Sequence, residues 1–352
     1  MPPPNIAAQR ILLVLHGSIG DVTRALPLAG LMRAAYPKAF IAWSVEGASA
    51  PLLRGNPAID EVILFNRQRW WKSVGSFVKQ IRQRKFDLVL DLQRHLKSGV
   101  ISRLSGAQYR LGFHRTDAKE CNWLFNNMFI APGGNNISKL EHYLKFAEFL
   151  GVPKGPLRWD FALTALERSS VDKFLLGINA PFAVLFVGTR WQSKNWFADQ
   201  IAACADVLRR EYRLAIVLLG GANDRQLAEQ SSLIANADVV NLAGRTSLRE
   251  AIGIIARAKL AVGPDTGLMH IAAALNVPVI SLWGATDPAR TGPWGFEDLA
   301  IKGAAPCSPC YLKRCSIGRQ CMRSIGIQEI AAKLKHVMEG APRELVRHAD
   351  FG

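Results

Sequence analysis

The chain has 352 residues, more than one ordinary α/β unit needs, and this length suits two domains of roughly 150 residues each. Its composition, 49% hydrophobic and 20% charged, excludes wholesale disorder. Lys and Arg outnumber Asp and Glu by 44 to 28, and the net charge of +16 indicates an anionic partner, the alternative being a merely soluble basic surface. Because no nucleic-acid-binding motif occurs, we expect a phosphate-rich membrane substrate and no nucleic acid.

All apolar runs are short, which bears on the location of the protein. None reaches the 18 residues that a membrane span needs, and the run at residues 11–15 is too short for a signal peptide. We therefore expect a cytoplasmic protein, peripheral on the membrane. In that compartment its six cysteines are expected to stay reduced.

Short apolar runs alternate with helical patterns, which indicates βα repetition and mainly parallel sheets. In the first half we predict strands at residues 11–15, 40–45, 61–65 and 86–90 and helices at residues 73–84 and 139–150. In the second half we predict strands at residues 183–187, 214–219, 239–241, 260–262 and 279–282, with helices at residues 198–210, 248–256 and 269–275.

Pro156, Gly177 and Pro181, residues that interrupt regular secondary structure, mark the break between the halves. We therefore predict an α/β fold of two Rossmann-like domains, residues 1–165 and 178–325, whose mainly parallel sheets face across a cleft. Ligands bind such sheets beyond the carboxyl ends of the strands. Residues 326–352 are expected to form a C-terminal helix, and packing against the first domain is one arrangement that the sequence allows for it.

The sequence Gly263-Pro264-Asp265-Thr266-Gly267-Leu268-Met269-His270 joins a buried strand to an Ala-rich helix. Unpaired amides at the helix start and the helix dipole favour an anion there. Thr266 offers a hydroxyl, Gly267 lets a phosphate approach the backbone, and His270 lies one turn further along the same face. This pattern predicts a pyrophosphate site. The alternative is that Asp265 and Thr266 are helix caps and His270 is an interior histidine.

Two more strand-end loops of this half support the pyrophosphate interpretation. Thr189 can donate to a diphosphate, and the ammonium of Lys194 would stabilise charge on a departing diphosphate, although it is otherwise one solvated lysine among many. The loop Gly220-Gly221-Ala222-Asn223-Asp224 is suited to contact a nucleoside, through Asn223 or Asp224.

These motifs resemble those of the glycosyltransferase family 9 heptosyltransferases, over nearly the whole chain. The most specific pieces are Asp265-Thr266-Gly267…His270-Ile271-Ala272-Ala273 and Gly20-Asp21…Leu26-Pro27. Within the family the chain is most similar to the first heptosyltransferase type, through Trp43-Ser44-Val45-Glu46, residues 67–72 and residues 91–98. The resemblance implies a GT-B fold and inverting transfer of heptose from ADP-heptose to the Kdo/lipid A inner core of lipopolysaccharide. It also implies work at the cytoplasmic face of the inner membrane, with neither a catalytic metal nor a cofactor.

Inverting transfer needs a base that takes the proton of the acceptor hydroxyl. Asp21 follows the first strand and lies at a helix start, where backbone amides favour its ionised form. The resemblance implies this base role for Asp21, and Lys194 is the second catalytic candidate. A helix cap without chemistry is the alternative for Asp21, and His16 is the competing base.

Basic residues in loops of the first domain have the aromatic neighbours Trp70, Trp71 and Phe113. Guanidinium groups bind phosphate and carboxylate bidentately, and aromatic rings can rest against sugars or acyl chains. The set therefore predicts binding of a phosphorylated, carboxylated Kdo–lipid A acceptor, although each residue alone is better explained as a solvated surface charge. Its members are Arg67, Arg69, Lys72, Lys97 and Arg115.

Four cysteines lie within fifteen residues, at Cys307, Cys310, Cys315 and Cys321. Four thiolates can close a tetrahedral zinc site, but this spacing is not that of a standard zinc ribbon. We favour packing and predict no metal site, with a structural metal and redox pairing as the alternatives.

Three other functions stay open: transfer of another nucleotide-activated sugar to a cell-surface glycan, nicotinamide-dependent oxidoreduction, and non-catalytic nucleotide binding. The oxidoreductase would need a dinucleotide glycine fingerprint. Gly17-x-x-Gly20 is not Gly-x-Gly-x-x-Gly and lacks the Lys-Ser/Thr ending of a P-loop.

Overall fold

The computed structural model describes residues 6–66, 70–134 and 137–340, the side chains of residues 70–73 excepted. The chain divides into two compact units, one ending at Ala162 and the other beginning at Leu163. The domain bounds of residues 1–165 and 178–325 stay predictions.

The first unit alternates strands and helices. In chain order they are β1 (Arg10–Val14), α1 (Ile19–Ala35), β2 (Phe40–Glu46), β3 (Glu61–Phe65), α2 (Trp70–Gln83), β4 (Leu88–Asp91), α3 (Leu96–Leu104), β5 (Tyr109–Gly112), β6 (Met128–Phe129) and α4 (Lys139–Phe149), with 3₁₀ turns at Ala50–Leu53 and Asn122–Phe125. The strands form a parallel sheet in the order β3-β2-β1-β4-β5-β6. The winding reverses between β1 and β4, which makes the loops after these two strands the expected ligand site.

The second unit has the same winding. Its elements are α5 (Ala165–Phe174), β7 (Phe182–Phe186), α6 (Ala198–Tyr212), β8 (Ala215–Leu219), α7 (Arg225–Ile234), β9 (Val239–Asn241), α8 (Leu248–Ala256), β10 (Leu260–Pro264), α9 (Gly267–Ala274), β11 (Val279–Trp283), α10 (Pro288–Thr291), β12 (Ala300–Lys302), α11 (Gln320–Arg323) and α12 (Ile327–Glu339), with 3₁₀ turns at Gln192–Lys194, Ala222–Asp224 and Glu297–Leu299. The parallel order β12-β11-β10-β7-β8-β9 reverses between β7 and β10. The predicted fold class of two mainly parallel α/β sheets is confirmed.

The central strands are apolar along their whole length because helices cover both faces of a parallel sheet. Residues 11–14 of β1 and residues 183–186 of β7 are all completely buried. Helix α1 is largely buried despite Pro27 in its middle. Proline has no amide to donate to the carbonyl four residues earlier, that of Thr23, and the indole Nε1 of Trp159 donates to this carbonyl instead at 2.8 Å.

Helix α12 packs against α6 and β11, within the second unit. Residues 341–352 of the predicted C-terminal segment lie outside the described residues. Packing of residues 326–352 on the first domain stays a prediction.

A buried carboxylate joins the end of β4 to the loop that precedes β6. Asp91 is completely buried and lies opposite Val14 of β1 in the sheet register. Its Oδ2 accepts from Asn122 Nδ2 at 2.7 Å and from Asn126 Nδ2 at 3.1 Å, and its Oδ1 accepts from the Gln93 amide at 3.2 Å. Burial raises the pKa of Asp91 to about 6, although these hydrogen bonds act in the opposite direction.

The raised pKa of Asp91 makes the stability of the first unit pH-dependent. In the folded state the Asp91 carboxyl binds its proton more tightly than in the unfolded chain. The stabilisation that the protonated carboxyl gives is therefore fully present below about pH 4 and is lost as the pH rises through about 6. A shift of this size corresponds to about 3 kcal/mol. We expect the free energy of unfolding of wild type, relative to Asp91→Asn, to fall by up to that amount over this range.

Guanidinium denaturation at a series of pH values measures this difference. Asp172→Asn is the control, because the Asp172 side chain is 61% exposed. Parallel pH profiles for wild type and Asp91→Asn would contradict the assignment.

Candidate functional site

In the second unit, an ion pair connects the loops after β7 and β10, the two strands between which the winding reverses. Lys194 Nζ lies 2.5 Å from Asp265 Oδ2, and the hydroxyl of Thr286 donates to the same oxygen at 2.7 Å. The Lys194 and Asp265 side chains are only 14% and 11% exposed. The sequence-predicted residues Lys194 and Asp265 are therefore brought together at the edge where such a sheet binds ligands.

The loop that carries Lys194 is held by its own hydrogen bonds. Asn195 Oδ1 accepts from the amide of Thr189 at 2.9 Å, and the hydroxyl of Thr189 donates to the carbonyl of Trp191 at 2.7 Å. The ammonium of Lys194 lies 4.3 Å from the centroid of the Trp191 ring, within the range of a cation–π interaction. Lys194 is thus fixed by an aromatic face and a carboxylate, and it is not a solvated surface lysine.

Helix α9 begins beside this pair. Thr266 is its N-cap residue, but in the described part of the chain its side chain makes no capping hydrogen bond. The Asp265 carboxylate contacts Lys194 and Thr286. The first amides of a helix have no intrahelical acceptor, so those beginning at Gly267 are available to an anion. His270, one turn along α9, is buried at 5% exposure.

The loop after β8 closes against the end of β7. Asp224 Oδ2 accepts from the amide of Gly221 at 2.7 Å. A Cβ added at Gly188 would lie 1.9 Å from Asp224 Oδ1, so only glycine allows this approach. Burial raises the pKa of Asp224, opposed by the hydrogen bond from Gly221. Asn223 is exposed, whereas Asp224 is half-buried and holds the loop.

In the first unit, Asp21 lies at the start of α1, three residues after the N-cap Ser18. It is the N3 partner of a capping box, and the Ser18 hydroxyl donates to Asp21 Oδ2 at 2.8 Å. Its other oxygen, Oδ1, accepts from Lys139 Nζ at 2.7 Å and from Arg24 Nη2 at 2.9 Å. A Cβ added at Gly17 would lie 2.8 Å from the Cβ of Asp21, so this turn also depends on glycine.

The two cations decide the charge state of Asp21. Burial alone would raise the pKa of Asp21, but the charges of Lys139 and Arg24 and the hydrogen bonds from Lys139 and Ser18 hold it well below its usual value. The carboxylate is therefore ionised throughout the physiological pH range. Capping and ion pairing coexist on this one side chain, one on each oxygen.

His16, the competing base, is enclosed within the first unit. Its side chain is 6% exposed, and its Nε2 lies 2.8 Å from the Ser44 hydroxyl. Its ring stacks on Phe65 at a centroid distance of 4.0 Å. This packing favours Asp21 over His16 as the group that can meet an acceptor hydroxyl.

The predicted acceptor residues are described only in part. Lys97 and Arg115 are exposed, Arg67 and Arg69 lie outside the described residues, and the side chain of Lys72 is likewise outside them. The segments around Lys97 and Arg115 are joined by hydrogen bonds from the Lys119 amide to the Arg94 carbonyl at 2.7 Å and from the Leu96 amide to Glu120 Oε2 at 3.2 Å.

Sequence reasoning missed four side chains of this arrangement. Lys139 and Thr286 contact the two key aspartates from 118 and 21 residues away, respectively. Arg24 and Trp191 are near in sequence to Asp21 and Lys194. Their spacings, three residues in each case, were a local signal that the sequence interpretation did not use.

All six cysteines are free thiols. Among the described residues, no three His, Cys, Asp or Glu side chains are grouped so as to hold a metal ion. Over the same residues, no helix is both long enough and apolar enough to cross a membrane.

Comparison with known proteins gives consistent results. The family model "Glycosyltransferase family 9 (heptosyltransferase)" matches residues 74–320. The chain is 29% identical to lipopolysaccharide heptosyltransferase 1 of Pseudomonas aeruginosa, over 87% of each chain. It is 26% identical to lipopolysaccharide core heptosyltransferase OpsX of Haemophilus influenzae, over 86% of each chain.

A solved structure shows the same fold. The E. coli heptosyltransferase WaaC with ADP superposes with a TM-score of 0.74 at 23% identity, over 93% of this chain and 99% of that chain. WaaC has also been solved with ADP-2-deoxy-2-fluoro heptose. The resemblance seen in the sequence is thereby confirmed: the chain is a glycosyltransferase and belongs to glycosyltransferase family 9, the heptosyltransferase family.

Proposed function

We propose that this enzyme transfers heptose from ADP-heptose to the Kdo/lipid A inner core of lipopolysaccharide, with inversion and without a catalytic metal. The observation that supports this most is the contact of Lys194 and Thr286 with Asp265, beside the start of α9. The names of the relatives, lipopolysaccharide heptosyltransferases, support the sugar and the product class. The ADP and ADP-2-deoxy-2-fluoro heptose bound to E. coli WaaC support the donor.

The diphosphate of the donor binds between Lys194 and the first amides of α9. Asp265 and a diphosphate are both anionic, so an arriving diphosphate competes with Asp265 for the Lys194 ammonium, while Thr286 remains a partner of Asp265. Thr189, Thr266 and the backbone of Gly267 add donors around the phosphates, and His270 supports the same face of α9. Asn223 and Asp224, in the loop after β8, contact the nucleoside.

The transfer is a single displacement. The acceptor oxygen forms a bond to the anomeric carbon while the bond from that carbon to the β-phosphate oxygen breaks. The electron pair of the broken bond goes to the diphosphate, which leaves as ADP, and the acceptor proton goes to Asp21. The ammonium of Lys194 and the helix start stabilise the charge that develops on the diphosphate, which is the task that a metal ion would otherwise perform.

A carboxylate with a lowered pKa is a weak base, and this sets when the proton moves. As the acceptor oxygen bonds to the anomeric carbon, its proton becomes strongly acidic. Even a weakly basic carboxylate then accepts it, provided that the carboxylate is ionised beforehand. Lys139 and Arg24 ensure that ionisation.

The acceptor is phosphorylated and carboxylated, so its recognition needs cations. We assign this to the basic side chains of the first unit, namely Arg67, Arg69, Lys72, Lys97 and Arg115. The same charges hold the enzyme at the anionic cytoplasmic face of the inner membrane.

Replacing the two catalytic candidates tests this function directly. Purified enzyme is incubated with ADP-heptose and Kdo₂-lipid A, and ADP release and glycolipid mass are measured. We expect Asp21→Asn to lower kcat by about 10²- to 10⁴-fold, as for loss of a general base. We expect Lys194→Met to lower kcat by about 10²- to 10³-fold and to weaken ADP binding.

UDP- and GDP-activated sugars serve as control donors. Transfer from one of these and not from ADP-heptose would favour another nucleotide sugar. Full transfer by Asp21→Asn would remove Asp21 from the base role.

The charge on Lys139 controls the pH dependence of the reaction. Lys139→Met removes the nearest cation and raises the pKa of Asp21, so we expect the acid limb of kcat/KM to move to higher pH. The matched control is Lys145→Met on the same helix, because Lys145 Nζ donates to the Pro132 carbonyl at 2.9 Å. Superimposable pH profiles of wild type and Lys139→Met would contradict this account.

Membrane attachment is tested by cosedimentation with vesicles. We expect binding to phosphatidylethanolamine vesicles only when they contain phosphatidylglycerol, and we expect salt to weaken it, because each nearby cation contributes roughly 1 kcal/mol. The double variant Lys97→Glu/Arg115→Glu should bind less tightly. The control Lys173→Glu/Lys259→Glu changes the net charge equally on the second unit. If both double variants lose vesicle binding equally, net charge alone determines the binding, and Lys97 and Arg115 have no special role in it.

A further inference from the structure

The four cysteines lie in a segment that contacts the donor loops. We call residues 307–321 the cysteine segment and residues 189–197 the lysine loop. The hydroxyl of Ser193 donates to the Leu312 carbonyl, the Ser193 amide donates to the Lys313 carbonyl at 3.2 Å, and Gln192 Oε1 accepts from the Cys315 amide at 3.0 Å. Every one of these bonds involves a residue adjacent to, or two positions from, Lys194.

Arg319 makes the charged part of this contact. Its Nη1 donates to the carbonyls of Asn195 at 2.9 Å and of Trp196 at 3.2 Å. Its guanidinium carbon lies 4.0 Å from the centroid of the Phe197 ring. Hydrogen bonds from a charged donor are stronger than those from a neutral one, so Arg319 is the main tie between the cysteine segment and the lysine loop.

The backbone of Arg319 is itself held in an uncommon conformation. Its φ is 57°, in the left-handed region that a residue with a side chain rarely adopts. The Arg319 amide donates to the Sγ of Cys315 at 3.1 Å. The cysteine cluster thus contributes a sulfur acceptor that helps to hold Arg319 in place.

The cysteine segment also contacts the other partner of Asp265. The Ser308 hydroxyl donates to the Gly284 carbonyl at 2.7 Å, and the Tyr311 amide donates to the Ala285 carbonyl at 2.7 Å. These carbonyls immediately precede Thr286. One segment therefore ties together the loops that carry Lys194 and Thr286, the two side chains that contact Asp265.

A 3₁₀ turn of three residues, Gln192–Lys194, has little stability of its own. Its position depends on what packs and bonds against it. We propose that the cysteine segment is a brace of the donor site and that Arg319 is a positioning residue that acts on the donor diphosphate through Lys194. This inference rests on the proposed role of Lys194 in holding the diphosphate.

A double-mutant cycle on ADP affinity tests the proposal. We expect Arg319→Ala to raise the Kd of ADP, measured by calorimetry, by about tenfold, which corresponds to about 1.4 kcal/mol. In the Lys194→Met background the same substitution should change the Kd less than twofold, because the residue through which Arg319 acts is already gone. Arg319→Lys keeps the charge and should restore part of the affinity.

Arg323→Ala is the matched control. The Arg323 guanidinium carbon also lies over Phe197, at 3.6 Å, but its Nη1 pairs with Asp199, a side chain outside the lysine loop. We expect its Kd for ADP to stay within twofold of wild type. Thermal unfolding of all variants separates loss of the brace from loss of the fold.

Each outcome has a distinct meaning. An unchanged Kd in Lys194→Met would contradict the proposed function of Lys194 itself. If Lys194→Met weakens binding but Arg319→Ala does not, only the brace is overturned. If the effects of the two substitutions add, Arg319 acts on ADP independently of Lys194, and the positioning role is wrong.

Discussion

Both sheets are wound in the same order, and the reversal of that order between two neighbouring strands determines where the candidate site residues lie. Parallel strands present all their carboxyl ends at one edge, and the loops diverge where the winding reverses. In the second unit, Lys194 follows β7 and Asp265 follows β10, so their ion pair spans the reversal. In the first unit, the loop of Asp21 follows β1, whose neighbour β4 ends at Asp91.

The bounds of several helices and strands could be predicted because local sequence patterns specify them. The strand at Glu61–Phe65 and the helix at Leu248–Ala256 have the predicted bounds, since a short apolar run and an amphipathic period specify them. The short strands β5, β6 and β12 were missed. Their two to four residues carry too little periodicity, and they form because a neighbouring strand supplies a hydrogen-bonding edge.

The partners that lie far along the chain from the predicted site residues could not be predicted from the sequence. Asp21 was identified from its position after the first strand, but its pairing with Lys139 depends on how α4 packs against α1. The cysteine segment illustrates the same limit. Its composition suggested metal, redox or packing, whereas its most informative contacts are the Asn195 carbonyl and the Gln192 side chain, in a loop more than 100 residues away.

Asp21 and Asp91, two carboxylates of the first unit, show how the fold places one kind of side chain in different environments. Asp91 is completely buried among neutral amides, so its pKa rises to about 6 and its oxygens hold the Asn122–Phe125 turn. Asp21 is half-buried, but two cations outweigh the effect of burial and lower its pKa. Environments that separate the pKa values of two like groups separate their functions. Of the two, Asp21 is the one that is partly open to solvent, at 21% exposure, which suits the base role proposed for it.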